Sequence, residues 1–228
     1  MRNLILIFMM LGTICFTAYK LPVYKEKVKG KMYFSNKPFA TGTAVSKKSF
    51  ASSEYIYGRL ELEGKSVKDA FKVWDPTPGS GFPYSYLLHR VFVYRNGEEM
   101  GHNTLNVCLL EQKDKDKAYL NFDILPEPAK ATTVMSGIER FDAGLFAAPL
   151  YGEINSDNFK EEGEYKIVVK FYYESYDAWG NREVIEKWPV FEDDFTFMFT
   201  LKDVAMLKKN ETLANTVIET NFKKNKPK

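Results

Sequence analysis

The chain has 228 residues, 45% of them hydrophobic and 15% aromatic, with 32 Lys and Arg against 30 Asp and Glu. This balance excludes a disordered, collagen-like or disulfide-rich chain. A formal net charge of +2 provides no general attraction to a polyanion, so we predict no nucleic-acid partner.

The N-terminal residues have the pattern of a secretory signal peptide. Arg2 is followed by an uncharged, largely apolar run that ends before Lys20. A membrane-spanning helix needs about 20 apolar residues, and this run is shorter. We therefore predict that residues 1–18 are cleaved off and that the mature chain has no transmembrane span. It would be secreted, or remain in the periplasm or cell envelope.

Removal of residues 1–18 would leave a single cysteine, Cys108. The mature fold would then contain no internal disulfide and would depend on its hydrophobic core. Cys108 lies in an apolar run, which is typical of a buried and inert thiol.

Alternation of apolar and polar residues is the dominant pattern and predicts β-strands. In residues 56–62, Ile56 and Leu60 share one face while Tyr57 and Arg59 share the other, half-exposed face. Residues 86–95 are apolar on both faces, as expected of a central strand covered on both sides. The other predicted strands are 31–36, 39–45, 104–110, 117–124, 165–174, 182–188 and 195–201.

Turn residues join these strands into hairpins. Asn96-Gly97 is a turn dipeptide, and residues 86–110 are predicted to form a hairpin whose loop is longer than two residues. A second hairpin is predicted at 165–188. His89 would be a buried side chain with its hydrogen bonds satisfied, and His102 a solvated residue of the first loop.

Helical patterns are scarce. Ser66 followed by Asp69 is a capping pattern and predicts one short helix near 66–73. Apolar spacing after Asp203 is compatible with a C-terminal helix, followed by a basic flexible tail at 221–228. No clear domain boundary interrupts the chain, so residues 19–220 are predicted to form a single domain.

Eight or nine short strands with Gly and Pro between them predict an all-β fold, an antiparallel β-sandwich. The segment Gly163-Glu164-Tyr165-Lys166-Ile167-Val168-Val169 resembles the strand of immunoglobulin-like and fibronectin-type domains in which a tyrosine pins a corner. The cysteine pair that links the two sheets in antibody domains is absent. The resemblance implies an immunoglobulin-like sandwich, a fold that serves binding or scaffolding more often than catalysis.

The sequence contains no recognisable catalytic or metal-binding motif. Pro78-Gly79-Ser80-Gly81-Phe82 does not have the spacing of a Gly-x-Ser-x-Gly nucleophile elbow. His89 and His102 are too far apart in sequence for the close pair of a typical zinc site. We predict no catalytic residue, metal or cofactor, although carboxylates such as Glu139 and Asp142 leave glycan hydrolysis open.

Aromatic residues in turn-rich segments are the candidate ligand-binding residues. Trp74 and Tyr84 bound a stiff loop rich in Pro and Gly, and Trp179 lies at a predicted hairpin tip. Indole rings stack on the apolar faces of sugars, while Asp177 and Asn181 could bind hydroxyl groups. Trp and Tyr are equally enriched in protein interfaces, and they also close the ends of sandwiches.

The leading hypothesis is therefore a secreted, non-catalytic binding or scaffold protein that uses a protein–protein surface. Its partner would be a protein of the envelope or the extracellular space. The first alternative is a carbohydrate-binding module that uses Trp74, Tyr84 and Trp179, and the second is an uncharacterised glycan hydrolase.

Overall fold

The computed structural model describes residues 27–39, 46–71, 73, 85–102, 106–110, 112–131, 134–136, 149–155, 158–172 and 190–225. The strands in these ranges are β1 Gly30–Ser35, β2 Ser49–Ala51, β3 Ile56–Leu62, β4 Ser85–Arg95, β5 Glu98–His102, β6 Asn106–Leu110, β7 Tyr119–Leu125, β8 Val134–Ser136, β9 Gly163–Tyr172 and β10 Phe191–Phe199. The helices are α1 Val67–Phe71, α2 Gln112–Lys115, α3 Pro149–Asn155 and α4 Val204–Asn225, with 3₁₀ turns at Pro128–Lys130 and Leu201–Asp203.

The described strands form two sheets, which confirms the prediction of a β-rich fold. The smaller sheet has the order β1-β3-β7, and the larger has the order β2-β10-β9-β4-β6-β8, with β5 also pairing with β4. All these pairs are antiparallel except that of β2 with β10, which is parallel.

The two sheets face each other across a core of aromatic rings. Phe34 of β1 lies 4.8 Å from Phe195 of β10, and Phe122 of β7 lies 5.0 Å from Phe171 of β9, measured between ring centroids. Gly58 of β3 makes room for this packing, because a Cβ atom there would lie 2.1 Å from the Phe122 ring. Buried aromatic area of this kind is a large share of the stability of a domain.

Two helices, α3 and α4, pack beside the sheets. α3 packs against β7 of the smaller sheet and β4 of the larger one, and α4 packs on α3 and on the turn at 128–130. Within the described residues, no helix is long and apolar enough to cross a membrane.

The predicted helices are present with adjusted ends. α1 begins after Ser66, whose Oγ accepts a hydrogen bond from the backbone N–H of Asp69 at 3.2 Å. α4 continues to Asn225 and so includes much of the segment predicted as a flexible tail.

The first hairpin is tighter than predicted. Asn96 and Gly97 have φ angles of +50° and +85°, and strand β5 begins at the next residue, Glu98. Left-handed conformations at both positions match the twist of a two-residue hairpin turn, so the prediction of a longer loop is wrong. His102 is exposed, as predicted, but it lies in β5 rather than in a loop.

The outer face of β3 is more buried than its polar residues predict. Arg59 has 3% of its surface exposed, and its guanidinium carbon lies 4.9 Å from the Phe39 ring centroid and 4.8 Å from that of Tyr119. Its Nε donates a hydrogen bond to Asn121 Oδ1 at 2.8 Å. Tyr57 is also buried, and its hydroxyl accepts from the Glu127 N–H at 2.8 Å. The predicted half-exposed face is therefore a packed polar layer.

His89 is in the interior, as predicted, but its hydrogen bonding is not satisfied. It is fully buried beside the rings of Phe171, at 5.6 Å, and Phe122, at 6.3 Å. Neither ring nitrogen has a hydrogen-bond partner in the part of the chain that the structure describes. Burial lowers the pKa of His89 from 6.5 to about 3, because a charged imidazolium is unfavourable among apolar rings.

Some predictions lie outside the described residues. These are the signal peptide at 1–18, the predicted strand at 182–188, the part of the strand at 39–45 that follows Phe39, and the carboxylates Glu139 and Asp142. Cys108 lies in β6, and the burial of its thiol stays a prediction.

Candidate functional site

The residues predicted to bind a ligand are not among those described. Trp74, Tyr84, Asp177, Trp179 and Asn181 all lie outside the described ranges. Their role in ligand binding therefore stays a prediction, and the site below is assembled from other residues.

The outward-facing side of the larger sheet carries a set of aromatic residues that the sequence analysis missed. Phe92 of β4 pairs with Val168 of β9 on one side and with His102 of β5 on the other. Tyr94, the next outward residue of β4, pairs with Lys166 of β9. Directly opposed residues of antiparallel strands lie on the same face of the sheet, so these side chains form one surface. We call this surface the outer-face patch and define it as Phe92, Tyr94, His102, Lys166, Val168 and Lys170.

The aromatic rings of the patch are packed against one another. Phe92 and Tyr94 have ring centroids 6.5 Å apart and planes within 26° of parallel. The centroid of the Phe92 ring lies 5.1 Å from that of the His102 ring and 4.4 Å from the Lys170 ammonium nitrogen. Phe92, Tyr94 and Val168 are each half-buried, so part of every side chain remains accessible.

Paired charges surround these rings. Lys166 Nζ lies 3.0 Å from Asp194 Oδ2, and Lys170 Nζ lies 3.8 Å from Glu192 Oε2. His102 Nδ1 lies 2.6 Å from Glu99 Oε1. Exposed pairs of this kind add little stability, so their main effect is to place charges of both signs around an apolar centre.

A cavity opens at one end of the patch. It has a volume of about 460 Å³ and is lined by Tyr94, Asn96, Gly97, Glu164, Lys166 and Val168. The Tyr94 hydroxyl donates a hydrogen bond to Glu99 Oε2 at 3.3 Å. The pKa of Tyr94 is raised, first because the group is partly buried and then because Glu99 and Glu192 add negative charge.

A corner at the start of β9 lies next to the cavity-lining residue Glu164. The Tyr165 hydroxyl donates to the carbonyl of Glu161 at 2.8 Å and accepts from its N–H at 3.4 Å. Arg95 lies over the Tyr165 ring at 5.3 Å, and its Nη2 donates to the carbonyl of Glu162 at 3.2 Å. These contacts connect the end of β4 to the start of β9, which are the two strands that form the cavity.

One buried carboxylate lies near the patch. Glu153 of α3 has 2% of its surface exposed and accepts a hydrogen bond from Asn158 Nδ2 at 2.6 Å. Burial raises the pKa of Glu153, while Asn158, His102 and Arg90 act in the opposite direction. The Asn158 side chain in turn fills the space above Gly101, where a Cβ atom would lie 2.3 Å from its amide nitrogen. This arrangement connects α3 to the edge of the larger sheet.

The described residues contain no group of three His, Cys, Asp or Glu side chains that could hold a metal ion. The chain matches no model of a known protein family, and no curated protein resembles it in sequence. Its function is therefore inferred from its own geometry.

The sequence did not predict the patch because the residues of β4 are mostly apolar on both faces of the strand. The structure shows that Leu88 and Arg90 are buried on the outward side, whereas Phe92 and Tyr94 are accessible. The prediction that residues 86–95 are covered on both sides is thus right for the first half of the strand and wrong for the second. The alternation of Lys166, Val168 and Lys170 marks a solvent-facing row on β9, but only the strand order reveals that β4 shares it.

Proposed function

We propose that the protein is a secreted, non-catalytic binding or scaffold protein that engages a protein partner of the envelope or extracellular space through the outer-face patch. The observation that carries the proposal is the half-buried pair Phe92 and Tyr94 on the outward face of the larger sheet, with charged residues around it. Interface centres are enriched in aromatic residues, and interface rims are polar. The apolar run that follows Arg2 supports export.

We also propose that the two sheets form an immunoglobulin-like sandwich. The order β10-β9-β4 in one sheet corresponds to strands G, F and C of that fold, and β1-β3-β7 in the other corresponds to A, B and E. The hydrogen bond from Tyr165 to Glu161 supports the proposal, because that fold has a tyrosine corner at the start of strand F.

A protein partner is favoured over a sugar by the surroundings of Phe92. A sugar ring needs an open aromatic face, whereas the Phe92 ring is packed against His102 and Lys170. The remaining accessible surface mixes aliphatic, aromatic and charged groups, as protein interfaces do. The carbohydrate-binding alternative depends on Trp74, Tyr84 and Trp179 and stays a prediction.

Site-specific photocrosslinking tests the proposal in cells that produce the protein. We expect a benzoylphenylalanine residue at position 168 to give a discrete adduct with another protein, and Phe92→Ala to abolish that adduct. The same crosslinker at Leu213 is the control, because Leu213 is also an exposed apolar residue, with 46% of its surface accessible, but lies on α4.

The proposal would be rejected if position 168 gave no adduct, or if positions 168 and 213 gave the same adducts in the same amounts. An adduct that persisted unchanged in the Phe92→Ala variant would also contradict it, since the ring at the centre of the patch would then contribute nothing to recognition.

A further inference from the structure

The cavity beside Tyr94 has features that narrow the chemistry of the partner. Its volume of about 460 Å³ is in the range of cavities that bind small ligands or single side chains. It is lined by Tyr94 of β4, by the turn residues Asn96 and Gly97, and by three outward-facing residues of β9, Glu164, Lys166 and Val168. A group that enters it would therefore have an aromatic surface on one side and charged groups on another.

The charges of the cavity favour a cation. Lys166 is already paired with Asp194 at 3.0 Å, so its positive charge is compensated. Glu164 lines the cavity and is exposed, and it forms no ion pair within the described part of the chain. Glu99, which accepts the hydrogen bond from Tyr94, already contacts His102 Nδ1 at 2.6 Å, so Glu164 is the carboxylate of the two that is left to bind an occupant. An anionic group would be repelled by Glu164, and a neutral group would leave that carboxylate unpaired.

Among cations, the aromatic wall favours a planar one. A guanidinium group stacks on an aromatic face and binds a carboxylate through two parallel hydrogen bonds, whereas an ammonium group is a compact and strongly hydrated charge. The chain contains the same pairing nearby, where Arg95 lies over Tyr165 and forms an ion pair with Glu161 at 2.5 Å.

We infer that this cavity receives an arginine side chain of the partner protein, with its guanidinium stacked on Tyr94 and paired with Glu164. The inference rests on the proposed function, because it assumes that the occupant of the outer-face patch is a protein. Beyond that function, the inference specifies that the partner presents an arginine and that Glu164 recognises it.

The test is a titration of the isotope-labelled protein with N-acetyl-arginine methylamide, followed by the amide resonances of Asn96, Gly97, Glu164 and Lys166. The matched probe is N-acetyl-citrulline methylamide, which has a similar shape but no charge. We expect saturable shifts with the arginine probe and affinity about tenfold lower for the citrulline probe, because a charge-assisted hydrogen bond is lost.

Two variants complete the test. Glu164→Gln should weaken arginine binding to the level of the citrulline probe, and Tyr94→Leu should weaken it independently. Glu63→Gln is the control, because it removes the same charge from an exposed position beyond the end of β3. Absence of saturable shifts, equal affinity for the two probes, or an unchanged affinity in Glu164→Gln would each overturn the inference.

The two proposals fail in different ways. A crosslink from position 168 that persists while the arginine probe does not bind would remove the inference and leave the protein-binding function intact. Arginine binding at Glu164 without any protein crosslink at position 168 would instead remove the proposed function, and with it the assignment of the arginine to a protein partner.

Discussion

At the residue scale, the most unusual feature is an imidazole without hydrogen bonds in the core. His89 is packed between Phe122 and Phe171, and its pKa is lowered to about 3 by burial. A buried polar group that finds no partner costs about 1–3 kcal/mol. His89 is therefore a residue that the fold tolerates rather than one that stabilises it.

This residue makes stability depend on pH. The folded pKa of about 3 lies below the ordinary value of 6.5, so the unfolded state binds the proton more readily. Above pH 6.5 His89 is neutral in both states, so its titration does not lower the free energy of unfolding. As the pH falls from 6.5 toward 3, the unfolded state takes up the proton first and the free energy of unfolding falls. We expect the free energy of unfolding to fall by roughly 1 kcal/mol for each pH unit through the middle of that window.

Urea unfolding of the protein and of His89→Leu at several pH values checks this. The variant should be at least as stable as the parent at pH 7 and should lose stability less steeply between pH 6 and 4. Identical slopes in the two proteins would contradict the assignment of this pH dependence to His89.

At the scale of single elements, turns and corners decide which strands become neighbours. The two-residue turn at Asn96-Gly97 brings β5 directly beside β4, and a register shift between Val93 and Tyr94 then pairs His102 with Phe92. The corner at Tyr165 fixes the beginning of β9. Both features lie at the ends of the strands that form the outer-face patch, so they determine its shape.

Removal of the corner hydroxyl should destabilise the protein. Tyr165→Phe removes the hydroxyl that donates to the Glu161 carbonyl and accepts from the Glu161 N–H. We expect the free energy of unfolding to fall by about 1–2 kcal/mol. Tyr33→Phe is the matched control, because Tyr33 lies on β1 of the other sheet and should change stability by less than about 0.5 kcal/mol. Equal effects of the two substitutions in urea unfolding would show that the corner contributes nothing.

At the scale of the whole molecule, the two sheets are held together by rings that reach across the core. Phe122 of the smaller sheet contacts Phe171 and lies close to His89 of the larger sheet. This packing depends on Gly58, which lies directly beneath the Phe122 ring. A position without a side chain in the smaller sheet therefore makes room for the ring that contacts the larger sheet.

A methyl group at that position should disturb the whole core. In Gly58→Ala the new Cβ would lie 2.1 Å from the Phe122 ring, so the ring must move against Phe171 or the sheets must separate. We expect a loss of about 1–3 kcal/mol, typical of overpacking. The double variant Gly58→Ala with Phe122→Leu should recover part of that loss, because the smaller side chain leaves room. A melting temperature unchanged by Gly58→Ala would refute this account.

The sequence by itself determined the β-rich composition of the fold and the position of most described strands. Alternation in residues 56–62 is a local property of the chain, and the structure has β3 at the same residues. The capping pattern at Ser66 likewise predicted α1, because a cap acts on backbone groups only a few residues away.

Only the tertiary structure decided which faces are buried and which residues form the candidate site. Arg59 and Tyr57 have the sequence pattern of exposed residues but are covered, whereas Phe92 has the pattern of a buried residue but is half-exposed. The reason is that burial depends on what lies opposite a residue. The partners of Phe92 are His102 and Val168, which are distant from each other in sequence and meet only through the strand order of the larger sheet.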